Sequence, residues 1–231
     1  MVRSIRYGTI VAILIGGVLG AGLTLPAARS QSSDPPCKSD LEQGENVSTA
    51  EVGDNGADEV RTTADAPTAV GLGGADCLRG RNGQENTLIG GDGRDELRGG
   101  NEDDDLNGGN NSDTLNGGDG DDHLAGGDGN NQLVGGAGDD VITSGGSEKD
   151  TTPDVIYGGD DADQIYVTGG RAEVYAGEGD DIVVTINGFV DTVDCGPGAD
   201  QALAEVEDQL SNCEEFPYAN RIRKPGLKAS R

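Results

Sequence analysis

Aspartates carry the chemistry that this sequence offers. Leu88, Leu97, Leu106, Leu115, Leu124, Leu133 and Ile142 fall nine residues apart, and two positions before each stands Asn86, Asp95, Asp104, Asp113, Asp122, Asn131 or Asp140. A carboxylate that recurs at a fixed distance from a fixed apolar residue is held by a repeating backbone, so it meets its own copies. Like charges stacked about 5 Å apart, the spacing of neighbouring strands, repel unless a cation lies between them. Carboxylate and turn-carbonyl oxygens are hard ligands, and an adaptable site of six or more suits Ca²⁺ better than Mg²⁺, which holds its waters and demands an octahedron. Calcium is the cation this spacing selects.

Positioning such a ladder is the task of the repeat. In its frame residues 90–143 read GGDGRDELR, GGNEDDDLN, GGNNSDTLN, GGDGDDHLA, GGDGNNQLV and GGAGDDVIT. Each unit opens on a glycine pair and reads as six turn residues followed by a three-residue strand. Such a strand is too short to be stable alone, and stacking buries it. If each unit turns the chain through half a coil, eighteen residues complete a coil and the inward Leu, Ile and Val side chains of two facing sheets form a narrow core. The expected fold is an all-β parallel solenoid. Sixth-position residues then form two rows, one with Asn86, Asp104, Asp122 and Asp140, the other with Asp95, Asp113 and Asn131.

The frame breaks at SGGSEKDTTP, 144–153, which reads as a surface loop, and resumes with Asp154/Ile156, Asp163/Ile165, Val174 and Asp181/Val183. Weaker traces continue through Asp191/Val193 and Asp200/Ala202, and upstream through Asp58/Val60 and Asp76/Leu78. The roll is therefore expected over 53–202.

Composition narrows the function. The 231 residues include 41 glycines, 3% aromatics and no Trp, which disfavours a large core with an aromatic pocket. Against 16 Lys and Arg stand 43 Asp and Glu, a formal charge of -27, which excludes nucleic acid and anionic membranes as partners of the main body. The only His, His123, stands at an outward seventh position, so neither a His-based triad nor a multi-His zinc site can be built. No Gly-rich turn is followed by the Lys-Ser/Thr of a phosphate loop. Paired carboxylates serve glycosidases, but here they recur as a ladder, which favours cation ligation. No catalytic residue is expected.

Arg3 and Arg6, an apolar run from Gly8 to Leu25, and Pro26-Ala-Ala-Arg-Ser30 read as a secretory signal, 1–30, cleaved after Ala27 or Ser30; the alternative is a retained anchor. Cleavage after Ser30 removes three basic and no acidic residues, so -27 becomes -30. No second apolar run follows, and the mature chain is expected free of the membrane. Residues 31–52 are acidic and aperiodic, a mobile arm, and 217–231 form a basic tail with Arg221, Arg223, Lys224, Lys228 and Arg231. That tail is a disordered solubilising end or a contact for anionic cell-envelope polymers. Cys37, Cys77, Cys195 and Cys213 all lie beyond the signal, and an even number in an exported chain suggests two disulfides, with three possible connectivities.

GGDGRDELR and GGDGDDHLA resemble the GGxGxDxUx nonapeptides of the RTX, or hemolysin-type, calcium-binding repeat family. The resemblance runs over roughly 71–202 and is sharpest in 86–143 and 154–184. It implies a parallel β-roll in which sixth-position aspartates two repeats apart share a Ca²⁺ with turn carbonyls. Carried over, the metal ligands are Asp95, Asp104, Asp113, Asp122, Asp140, Asp163 and Asp181, for several ions. Departures are Asn86 and Asn131 at the sixth position, Ala172 in place of a ligand, and Glu102, Asn111 and Asp161 at the fourth-position glycine. The ending DTVDCGPGAD, 191–200, followed by Cys213-Glu-Glu215, resembles secreted members whose cysteines lock a C-terminal cap, here 203–216. Proximity at the two ends pairs Cys195 with Cys213 and Cys37 with Cys77.

These features describe a secreted bacterial protein, extracellular or on the cell surface. It is expected to bind calcium without catalysis and to serve structure, adhesion or buffering. Two alternatives are a calcium-dependent accessory module of an exported enzyme system and a polysaccharide- or ice-binding solenoid.

Overall fold

The computed structural model describes residues 51–146 and 152–215. The signal, nearly all of the acidic arm with Cys37, the middle of the 144–153 loop and the basic tail lie outside the described residues. Among the described residues there are nineteen strands and no helix. Strands β1 (Glu51–Val52) to β19 (Glu214–Glu215) alternate between two parallel sheets, the odd-numbered strands forming one of ten and the even-numbered strands one of nine. The chain is thus a β-solenoid of about eighteen residues per coil.

Register explains the nonapeptide. Leu88 pairs with Leu106, Leu106 with Leu124, Leu124 with Ile142, Ile142 with Ile165 and Ile165 with Val183 in one sheet. Leu78, Leu97, Leu115, Leu133, Ile156, Val174 and Val193 run likewise through the other. All of these are at most 2% exposed. Each such side chain removed from water contributes about 2 kcal/mol, one contribution per half coil. Pairing goes on past 202, where Val193 meets Leu210 and Ala202 meets Glu215. Cys195 and Cys213, eighteen residues apart, are joined by a disulfide with Cα atoms 5.1 Å apart. Among the described residues no cysteine is free.

The strands are longer than the three residues expected. From β6 (Glu96–Asn101) to β10 (Gln132–Ala137) each has six, because pairing continues through the glycines, as at Gly91↔Gly109 and Gly109↔Gly127. Side chains there would separate the coils. A methyl on Gly118, whose φ is +127°, would run into the Gly100 carbonyl of the coil below. Fourth-position departures are absorbed in another way. Glycines at that place have φ of +112° to +146°, whereas Glu102, Asn111 and Asp161 turn back to +76° to +80°, the left-handed well that a side chain can enter at a cost of about 1–2 kcal/mol. The coils beside them still pair, at Gly100↔Gly118 and Gly159↔Gly177.

Glu102→Gly is therefore expected to raise stability by up to about 1 kcal/mol, and Gly118→Ala to lower it by more than that. Urea unfolding of the calcium-loaded protein measures both. Two small effects of the same sign would contradict this backbone assignment.

Candidate metal centre

Each sixth-position residue stands just ahead of a strand, where the chain leaves the bend and its side chain turns back toward the next coil. One carboxylate oxygen is used to stitch coils together. Asp104 N donates to Asp122 Oδ1 at 2.7 Å, Asp122 N to Asp140 Oδ1 at 2.8 Å, Asp140 N to Asp163 Oδ1 at 2.9 Å, Asp163 N to Asp181 Oδ1 at 2.9 Å and Asp181 N to Asp200 Oδ1 at 3.0 Å. On the opposite edge Asp58 N donates to Asp76, Asp76 N to Asp95 and Asp95 N to Asp113, each at 2.8 Å, and Asp113 N donates to Asn131 Oδ1 at 2.9 Å.

The second oxygen has no donor. Oδ2 of Asp76, Asp95, Asp104, Asp113, Asp122, Asp140, Asp163, Asp181 and Asp200 is buried without a hydrogen-bond partner, in residues at most 3% exposed. In seven of them, Asp76 to Asp163, it lies against the first glycine of its own unit, beside a carbonyl from the next coil; Asp181 and Asp200 have Ala176 and Cys195 at that position. The missing Cβ of Gly108, for example, marks a point 2.6 Å from Asp113 Oδ2 and 2.7 Å from the Gly126 carbonyl oxygen, and that of Gly90 one 2.5 Å from both Asp95 Oδ2 and the Gly108 oxygen. Buried oxygens brought together in this way need a proton or a cation between them, and once the carboxyl is ionised only a cation serves. This donor set fits Ca²⁺. Among the described residues no three His, Cys, Asp or Glu side chains converge, so each centre would take one or two carboxylates and complete its shell with carbonyls.

The seven aspartates named from the sequence all stand in these two rows, Asp95 and Asp113 in one and Asp104, Asp122, Asp140, Asp163 and Asp181 in the other. The insertion does not interrupt the row of Asp104, since Asp140 N reaches Asp163 across it, and Ser144 and Gly145, read from the sequence as loop, lie in β11 (Val141–Gly145). Asp76 and Asp200 have the same geometry and were not among the seven. Their signal was the weak Asp76/Leu78 and Asp200/Ala202 pairs, displaced by coils of nineteen residues. Toward the two ends of the row that holds Asp76, protein donors replace the orphan. Asp58 Oδ2 accepts from Asp54 N at 2.6 Å, Asp191 Oδ2 from Asn187 Nδ2 at 2.9 Å, and Asp208 Oδ2 from Thr185 Oγ1 and Glu205 N, both at 2.8 Å.

Metal-free, these carboxyls resist ionisation. Burial, with lesser help from neighbouring carboxylates, pushes Asp113 and Asp163 up to about 8, Asp122 to about 7, and Asp76, Asp95 and Asp140 to about 6; backbone donors oppose it without cancelling it. Asp104 and Asp181 are raised for the same principal reason.

The folded state binds these protons more tightly than the unfolded chain does, where the carboxyls titrate near 3.8. Their contribution to metal-free stability is thus complete below about pH 4 and is lost as pH rises through 6 to 8. In excess chelator, acidification from pH 8 to about 4.5 is expected to restore β-structure in circular dichroism. A chelated chain equally unfolded at both pH values would contradict the burial of this ladder.

Comparison with known families agrees with the geometry. A family model for the RTX calcium-binding nonapeptide repeat matches residues 52–84, 82–115, 116–147, 151–172 and 157–185, more than half of the chain. Neither a search of curated proteins nor one of solved structures gives a match. The matched stretches hold eight of the nine aspartates whose second oxygen has no donor, all but Asp200. With its period, its two rows of buried carboxylates and this match, the chain belongs to the RTX calcium-binding nonapeptide-repeat family, and calcium is its cofactor.

Proposed function

We propose that this is a secreted, non-enzymatic protein that folds on meeting extracellular Ca²⁺ and acts outside the bacterial cell as a structural, adhesive or buffering element. The observation that carries the proposal is the row of orphan Oδ2 atoms. A compact roll that buries nine such oxygens is unfavourable for a chain of this charge until an ion that binds only the assembled turns is supplied. The aspartates named from the sequence are the proposed ligands, with Asp76 and Asp200 added. Intervals bounded by two of these residues number five on one edge, from Asp104 to Asp200, and two on the other, from Asp76 to Asp113. Affinities of roughly 10⁻⁴ to 10⁻³ M, the range of extracellular modules, suit a switch that is off in the cytoplasm. Against catalysis stands the use of nine buried carboxylates in one repeated role, the satisfaction of Asp191, Asp208 and Glu205 by protein donors, and the exposure of His123 on the outer face.

One observation favours a second reading, polysaccharide binding. Tyr157 and Tyr175 are in register on the outer face of the nine-stranded sheet, stacked with centroids 5.1 Å apart and planes 11° apart, and 40% and 42% exposed. Tyr175 also walls an open concavity of about 650 Å³ with Glu178, Asp194, Pro197 and Asn212. A ring face beside carboxylate acceptors suits the apolar face and hydroxyls of a sugar.

Without calcium the full chain is expected to give a largely disordered dichroism spectrum, and with millimolar calcium a β spectrum. An unchanged β spectrum in chelator at pH 8 would overturn the main reading. Asp122→Ala removes a ligand and strands the Asp104 N–H, so the calcium midpoint is expected to rise about tenfold, which is about 1.4 kcal/mol and within the 1–3 kcal/mol of an unsatisfied buried donor. Asp128→Ala, at an exposed third position, is expected to leave it unchanged. For the second reading, sedimentation with cellulose and chitin that is lost in Tyr175→Ala would favour a sugar platform; no sedimentation leaves the calcium reading alone.

A further inference from the structure

The two asparagines in the ladder do what the aspartates cannot. Asn131 keeps the stitching bond, its Oδ1 accepting from Asp113 N at 2.9 Å, but where each aspartate has its orphan oxygen it places an amide nitrogen that donates to the Gly127 carbonyl at 3.2 Å. Asn86 is satisfied on every side. Its Nδ2 donates to the Arg81 carbonyl at 3.1 Å, the Gln84 carbonyl at 2.9 Å and Asp104 Oδ1 at 2.8 Å, and its Oδ1 accepts from Thr62 Oγ1 at 2.6 Å and from Arg81 N and Gln84 Nε2 at 3.1 Å. In the aspartate turns carbonyl and carboxylate oxygens face one another and need a positive charge. In these two turns N–H groups already fill that role, and an ion would meet a donor instead of a ligand.

We infer that Asn86 and Asn131 are metal-free rungs, amides standing where the family places an ion, and that they make calcium loading one-sided. Asn86 opens the first row, after which five acidic intervals follow without a break to Asp200. Asn131 interrupts the opposite row after Asp113; the next rung, Asp154, accepts from Asn131 N at 2.7 Å and is flanked by Asn131 and by Ala172, which brings no oxygen. One edge of the roll is therefore a continuous calcium ladder. The other is held by calcium as far as Asp113 and by hydrogen bonds around Asn131. This rests on the calcium reading above and adds where the ions do not go.

The turn 126–131 reads GGDGNN, and Asn131→Asp makes it GGDGND, the pattern of GGDGDD at 117–122. In the full chain, equilibrium dialysis against ⁴⁵Ca is expected to give at least one more ion per chain for Asn131→Asp than for the natural sequence. Hydrogen exchange read by mass spectrometry at limiting calcium is expected to show residues 126–134 losing protection in the variant. Asp122→Asn is the converse, expected to bind fewer ions while 117–124 stays protected at low calcium, and it decides the matter if Asn131→Asp does not fold. Unchanged stoichiometry in Asn131→Asp, or an Asp122→Asn chain that is unprotected at every calcium concentration, overturns the inference. A natural chain that binds no calcium would overturn the functional reading as well, so the two failures are told apart.

Discussion

An oxygen facing an oxygen governs this structure. Stacking one short strand per half coil brings each sixth-position carboxylate under the turn of the neighbouring coil, where Oδ1 finds an N–H and Oδ2 finds a carbonyl. The hydrophobic column gains from that closeness and the carboxylates suffer from it, because both are set by the same spacing of about 4.8 Å between strands. The roll cannot relax one without losing the other. A cation resolves the conflict in the middle of the molecule. At the margins Asn86, Asn187, Thr185 and the Glu205 N–H resolve it with protons on nitrogen or oxygen.

Much of this was legible in the sequence because the repeat is nearly crystalline between 86 and 143. A side chain that recurs every nine residues has no freedom to differ in environment from its copies, so Leu97 being inside meant that Leu115 and Leu133 were too. The same logic found Asp95 through Asp181. What escaped it depends on local departures from the period. Asp76 and Asp200 are rungs of coils one residue longer, where counting by nine loses step although the backbone stays in register. The closing of Asp191 by Asn187 and of Asp208 by Thr185 involves side chains outside the nonapeptide frame, for which no spacing rule exists. Strand length was underestimated because glycine is read as a breaker; in this roll it is the residue that lets ladder pairing continue where two backbones nearly touch.

Glutamate at 102 is instructive in the same way. Judged as a repeat it is a defect, since a fourth-position glycine is missing. In the fold it is a residue in a left-handed well whose coil still pairs with the next through Gly100↔Gly118. The tolerance exists because that φ sits outside the ladder of orphan oxygens and outside the core column, so its strain is local and does not accumulate along the stack.

The reach of Asp140 across the 144–153 segment has a bearing on engineering. The main-chain nitrogen of Asp140 meets Asp163 at 2.9 Å, as if nothing lay between, and Ile142 pairs with Ile165 in the ordinary way. Chain can therefore enter and leave the stack between Gly146 and Thr152 without altering the pitch on either side. A foreign epitope or a short enzyme-recognition tag spliced there would be carried between two rungs whose spacing the added residues leave unchanged.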